Sequence, residues 1–349
     1  MTPPPDPAPT ERPERQRLQM ADIARIAGVS VATVSRALNG SAEVSAATRQ
    51  RISELARSLN YTINVGAKNL RLRHNKTVSV VIPYDRRSRQ HVSDPFFLAM
   101  LGSLADALTD RGFDMLVSRV DADRLEQAAQ AWDTGTAMGV ILIGQWHSHE
   151  QINQMAERGV PLVVWGAQIP VQRYCSVGGD NATGGSLATQ HLLERGCQRI
   201  VFMGDPDLPE VEQRRRGYRQ ALADAELVPE PALELHTPFD ASQARADLSR
   251  LIESGVTFDA VFACSDVLAM AVVQALRAHG KDVPRDVAVV GYDDIEWASH
   301  AYPPLTTIRQ PVSVAGVEIV NALLDIVSGE VVPPRTLAVE LVIRRSSLR

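Results

Sequence analysis

Cysteine is scarce in this chain. Cys175, Cys197 and Cys264 stand far apart among 349 residues, and no two form a C-x-x-C pair. That spacing points neither to a disulfide framework nor to a zinc site, and a reduced, cytoplasmic setting is expected. Long apolar runs are missing too. Stretches such as 139–144 and 160–166 are strand-length, well short of the roughly 20 residues of a membrane span. The first 17 residues are rich in proline and charge, hold no apolar signal segment, and read as a disordered tail. Catalytic signatures are also absent. There is no H-E-x-x-H, no G-x-S-x-G elbow and no phosphate loop. His147 and His149 have no third metal ligand nearby in sequence. Asp293 and Asp294 are adjacent, so their side chains diverge, a poor arrangement for an acid and base across one bond. No enzyme, cofactor, metal site or membrane partner is therefore expected.

What is present is unevenly placed. The net charge is −5, yet residues 15–76 hold 11 Lys and Arg against 3 Asp and Glu, a net of +8 that leaves −13 for the rest. A basic head on an acidic body is the asymmetry of a chain with one end built for phosphate. Residues 18–62 read as three short helices. One covers 20–27 and stops at Gly28; a second, capped by Ser30, runs to about 39; a third, capped by Ser45, covers 46–59. Ile23, Ala24 and Ala27, then Val34, Ala37 and Leu38, then Ile52, Leu55, Ala56 and Leu59 fall on inward faces. Two helices joined by a tight Gly-Val-Ser turn make a helix-turn-helix, whose second helix enters a major groove. Val31, Ala32 and Arg36 then face outward. Arg36 is suited to a guanine edge, Val31 and Ala32 to methyl contacts. Ser30, Thr33, Ser35 and Asn39 are suited to phosphates.

In the body, apolar strands are expected at 77–82, 114–118, 139–143, 161–165, 199–203, 258–264 and 287–291, separated by helices that often stop at glycine. That βαβ rhythm means parallel sheets with helices on both faces, and the length suits two such lobes. Ligands of open parallel sheets sit beyond the carboxyl ends of the strands. Phe96, Phe97, Gln145, Trp146, Trp165, Ser265, Asp266 and Asp293 fall at or just after such ends, and Trp297 is a further candidate. Aromatic faces with carboxylates and amides form the inventory that grips a polyol. The glycine-rich run 178–185 is explained by a strand-to-helix turn without phosphate.

The head is dense in one pattern: D-I-A-x-x-A-G-V-S from Asp22, T-V-S-R-x-L-N from Thr33, and T-R-x-R-I from Thr48. This resembles the reading head of the LacI/GalR family of bacterial regulators. The resemblance continues into 63–75, where it implies a hinge helix carrying Asn64, Ala67 and Lys68, with Leu70 wedged into the minor groove and Ala67 as its packing partner. The chain departs from the family pattern at Thr62-Ile63, where a proline is usual. In the body, Arg214-Arg-Arg-Gly-Tyr matches the R-x-x-G-[FY] element, Gly291-Tyr-Asp-Asp the G-[FY]-D-[DN] element, and Asp94-Pro-Phe-Phe the cleft element. These place Arg214 and Asp293 in the effector pocket. Ser265 departs from the amide often found there. Pro304-Leu-Thr-Thr-Ile matches the crossover segment.

The resemblance implies an all-α helix-turn-helix head and an α/β two-lobed effector domain like periplasmic binding proteins. One lobe is expected at about 76–176 and 309–338, the other at about 177–308 and 339–349. The implied function is a homodimeric repressor on palindromic double-stranded operator DNA, controlled by a small molecule. Tryptophans tilt that molecule toward a glucoside or disaccharide; a purine, nucleoside or sugar phosphate is the alternative. A sugar-binding transport component is the alternative of another class, disfavoured by the basic head and the lack of a signal segment.

Overall fold

The computed structural model describes residues 20–38, 41, 43–59, 75–85 and 91–348. The chain divides into two compact units, residues 1–74 and 75–349. The expected tail, Asn39, and the hinge residues Asn64, Ala67, Lys68 and Leu70 lie outside the described residues.

In the first unit, α1 (Met20–Ala27), α2 (Val31–Leu38) and α3 (Ala46–Ser58) form a three-helix bundle. Each contributes one fully buried branched side chain: Ile23, Val34 and Ile52. The caps are those the sequence predicts. Ser30 Oγ accepts from the Thr33 amide at 3.1 Å, and Ser45 Oγ from the Thr48 amide at 3.3 Å. Gly28 turns the chain between α1 and α2 at φ +68, a conformation cheap only for glycine.

The second unit consists of two six-stranded sheets. The first comprises β1 (Thr77–Tyr84), β2 (Asp114–Asp121), β3 (Gly139–Ile143), β4 (Leu162–Trp165), β5 (Cys175–Gly179) and β11 (Arg335–Leu337), in the order β11-β5-β4-β3-β1-β2. Helices α4 (Pro95–Thr109), α5 (Gln130–Asp133) and α6 (His149–Glu157) connect its strands. The second comprises β6 (Ile200–Gly204), β7 (Glu234–His236), β8 (Ala260–Ala263), β9 (Ala288–Asp293), β10 (Thr306–Arg309) and β12 (Glu340–Val342), in the order β12-β10-β9-β8-β6-β7. Its helices are α7 (Asn181–Glu194), α8 (Pro209–Asp224), α9 (Ala241–Glu253), α10 (Asp266–Ala278) and the short α11 (Glu296–His300). Helix α12 (Val312–Val327) returns to pack on the first sheet. Every strand pair is parallel except β10 with β12. That antiparallel pair departs from the expected all-parallel rhythm: β12 enters the second sheet directly from β11 of the first.

Each sheet is covered on both faces. Strand β3 is buried at all five positions, which is why it reads as an uninterrupted apolar run. Strand β2 is the exception: an edge strand whose Leu116 and Val117 stay exposed. The first crossing between lobes comes after Gly179 rather than near 176. Val177 pairs with Trp165 of β4, so residues 177–179 belong to the first lobe. Further crossings follow β10 and β11. Cys175, Cys197 and Cys264 are buried and stand in no disulfide. Among the described residues no helix is long and apolar enough to cross a membrane.

Candidate functional site

A cavity opens between the two lobes where their strands end. It holds about 720 Å3 of space free of atoms, counting open solvent at its mouth. The first lobe supplies Phe96 and Phe97 from the start of α4, Trp146 after β3, Trp165 at the end of β4, and the β5 terminus. The second supplies Asn181, Leu208, Glu210, Arg214, Phe239, Ser265 and Asp293, and Gln310 enters from the crossover. Phe96 lies 6.2 Å from Trp165 and 6.0 Å from Phe97 between ring centroids, so three rings form one wall. Trp146, held at φ +47, packs with Leu208 and Val211 of the opposite lobe. Two further contacts join the rims: a His147 ring nitrogen meets the Asp207 carbonyl at 3.0 Å, and Gln213 donates to the Gln168 carbonyl at 2.8 Å.

Arg214 is the fixed point of the polar wall. Its side chain is 4 % exposed. Nε donates to Asn181 Oδ1 at 2.9 Å, Nη1 donates to the Cys264 carbonyl at 2.6 Å, and the guanidinium lies 3.7 Å above the Tyr292 ring. Burial works against its charge, but Tyr292, Asp293 and their neighbours more than offset this and lift its pKa. The position of Arg214 depends on a close helix crossing. A Cβ at Gly217 would stand 2.0 Å from the Ala182 carbonyl oxygen of α7, and one at Gly185 would stand 2.1 Å from that of Arg214. This contact explains both the glycine of the R-x-x-G element and one of the run at 178–185. Gly217→Ala is therefore expected to cost the body about 3 kcal/mol in urea unfolding through overpacking. A loss within measurement error of zero would contradict the close crossing.

Asp293 accepts from Gln310 Nε2 at 2.8 Å. Burial pushes its carboxyl from the ordinary 3.8 up to about 7, and the Arg214 charge offsets only part of that rise. An acid with a raised pKa holds its proton longer in the folded chain than in the unfolded one. Its contribution to stability is complete below about pH 4 and is lost as pH rises through about 7. Asp293→Asn should therefore flatten the decline of Tm across that window. A variant profile parallel to wild type would show that Asp293 does not titrate there.

Of the expected ligand contacts, Phe97, Trp146, Trp165, Arg214, Ser265 and Asp293 line the cavity. Ser265 also caps α10, its Oγ accepting from the Leu268 amide at 3.2 Å. The structure places three others elsewhere, which corrects their assignment. Gln145 is fully buried, and its amide is spent on both backbone groups of Ala167 and on the Tyr174 hydroxyl. Asp266 is fully buried as a brace, accepting from the Thr307 hydroxyl at 2.5 Å and the Ile295 amide at 2.9 Å. Trp297 lies on α11, 63 % exposed and away from the cavity. Asp294 is engaged by Arg309 at 2.7 Å and Arg344 at 2.6 Å. Sequence reasoning missed Glu210, Phe239 and Gln310, which carry no motif. Asn181 falls in the glycine-rich run at 178–185, which the sequence explains as a strand-to-helix turn without assigning its side chain a role. Outside the cavity, Asp205, Asp207 and His236 bring three possible ligand atoms within 4.8 Å of one another, with His236 already paired to Asp205.

On the head, α2 presents Val31, Ala32 and Arg36 to solvent. Arg36 pairs with Glu43 at 3.1 Å, both well exposed. The hydroxyls of Ser30 and Thr33 bond each other at 2.9 Å at the start of that face, and Ser35 is half-buried beside it.

Comparison with known proteins decides the family. Residues 19–64 match the model for bacterial regulatory proteins of the lacI family, and residues 189–347 match the periplasmic binding protein-like domain. The HTH-type transcriptional regulator CelR of Thermobifida fusca is 34 % identical over 342 residues, covering 96 % of this chain and 99 % of that one. This chain belongs to the LacI family. The ribose operon repressor of Haemophilus influenzae is 30 % identical, with 92 % of this chain and 95 % of that protein covered. Among solved structures, a CelR–cellobiose complex matches with a TM-score of 0.71 at 32 % identity, covering 95 % of this chain and all of that one. A lac repressor dimer bound to operator and the anti-inducer ONPF matches with a TM-score of 0.84 at 25 % identity, covering 96 % of this chain and all of that one. As a LacI-family protein this chain is a DNA-binding regulator of transcription, with the helix-turn-helix head and two-lobed body of that family.

Proposed function

We propose that this LacI-family chain is a homodimeric repressor acting in the cytoplasm, whose grip on a palindromic operator is set by a glucoside or disaccharide held between its lobes. The observation that carries the reading is the interlobe cavity, where Phe96, Phe97, Trp146 and Trp165 face the Arg214 and Asp293 side chains. Rings stack on the C–H faces of a pyranose, and the polar wall bonds its hydroxyls. The CelR–cellobiose complex supports a disaccharide. The lac repressor dimer on operator supports two chains on one palindrome. Leu98 and Val314, about half exposed on α4 and α12 of the first lobe, supply apolar surface for such a pairing.

Arg36, Val31 and Ala32 read bases from the major groove, while Ser30, Thr33, Ser35 and Asn39 hold phosphates. Asn64, Ala67, Lys68 and Leu70 complete the DNA contact, a role that rests on their motif. The sugar bonds groups on both lobes, so it biases their closure, and closure sets the separation of the paired hinges. A coupling of about 1–3 kcal/mol is ordinary for such linkage.

The test is to select duplexes from a random pool with the full chain and titrate the selected complex with cellobiose, ribose and hypoxanthine. A palindrome with half-sites about one helical turn apart, and a change in DNA affinity with cellobiose, are the expected results. A site without two-fold symmetry would remove the dimeric reading, and a response to hypoxanthine alone would move the effector to the purines.

A further inference from the structure

Resting on the reading that the cleft holds a sugar, we propose that it accepts an uncharged, hydroxyl-donating sugar and rejects anionic ones, with Glu210 setting that selectivity. Among the described residues, three carboxyl groups, Asp94, Glu210 and Asp293, line the cavity with one guanidinium, Arg214. That guanidinium is committed: two of its nitrogens serve Asn181 and the Cys264 carbonyl, and the Tyr292 ring covers its face. It therefore balances the carboxylates and has little left for a phosphate.

Glu210 sits one turn before Arg214 in the first turn of α8. The amides and dipole of a helix N-terminus favour an anion, so this corner would otherwise suit a sugar phosphate. Here the chain's own Glu210 carboxyl group fills it. Its Oε2 is buried and has no hydrogen-bond partner. Burial raises the Glu210 pKa, with Arg214 and His147 opposing that rise and Asp205 adding to it. A buried acceptor without a donor is costly, and a ligand hydroxyl arriving from the cavity relieves that cost. A phosphate brings a charge of about −2 and no donor to offset it, and like charges placed together disfavour binding strongly.

Calorimetric titration of the full chain with cellobiose, cellobiose 6′-phosphate and 6′-O-acetylcellobiose separates charge from bulk. Wild type should bind cellobiose about 100-fold more tightly than the phosphate, with the acetyl ester much nearer to cellobiose. Glu210→Gln should shrink the cellobiose-to-phosphate ratio by roughly tenfold while operator binding is retained. A wild-type chain that binds the phosphate as tightly as cellobiose overturns the proposal and leaves the sugar reading standing. So does a ratio unchanged in a folded Glu210→Gln variant. If neither cellobiose nor its derivatives bind wild type, the sugar reading falls and the selectivity with it. Should the variant fail to fold, the wild-type ratios still decide.

Discussion

Arg214→Ala is expected to abolish the effector response while the head still binds DNA. The substitution removes the one guanidinium that the described residues place in the cavity wall and strands what it supports. Asp293 loses its countercharge in a buried setting, and Asn181 Oδ1 and the Cys264 carbonyl lose their donors. Leaving a buried acceptor without its donor costs about 1–3 kcal/mol, so the body should also melt lower. Affinity for the sugar should fall by about 100-fold or more, the result of losing about 3 kcal/mol of binding. Arg214→Lys is the sharper probe. It keeps the charge but has no planar fork to reach both acceptors while lying over Tyr292. Its loss should be intermediate in stability and nearly complete in sugar response. Sugar affinity near wild type in a folded variant of either kind would remove Arg214 from the site.

Arg36→Ala should do the reverse. Arg36 is exposed on the outward face of α2, and its ion pair with Glu43 is equally exposed. Such pairs are worth at most about 1 kcal/mol, so exchanging Glu43 for a guanine edge is cheap. A good two-bond contact to guanine discriminates by about 1–3 kcal/mol. The variant should therefore lose about tenfold or more of its preference for the selected duplex over a scrambled one. Sugar binding and body stability should be unchanged. A specific-to-scrambled ratio equal to wild type, measured at matched salt, would mean that Arg36 reads no base.

How far the sequence foretold these features depends on where each signal resides. The head was legible almost to the residue, because caps, a turn glycine and helical spacing are local properties. Buried parallel strands such as β3 were legible as apolar runs. The strands β5, β7, β10, β11 and β12 were not, being short or carrying glycine and polar residues; their pairing is decided by neighbours remote in sequence. The site was legible in part. Arg214 and Asp293 sit in motifs, and Trp146 and Trp165 sit at strand ends. Gln145 and Asp266 sit at strand ends as well, yet the fold turns them inward to brace loops. Position along a strand locates a residue near the cleft without settling whether its polar atoms are already spent. Glu210 and Gln310 went unseen for the converse reason. Nothing local marks them, and only the meeting of two lobes brings them to the cavity.

The most direct test of the central claim is a melting panel of the purified full chain with neutral mono- and disaccharides, sugar phosphates, purines and nucleosides at millimolar levels. A ligand present at a thousand times its dissociation constant stabilises the folded state by about 4 kcal/mol, which raises Tm by several degrees. A selective rise with one neutral sugar, lost in Arg214→Lys, is the predicted result. A rise with purines alone, or with a neutral sugar equally in wild type and Arg214→Lys, would contradict the account.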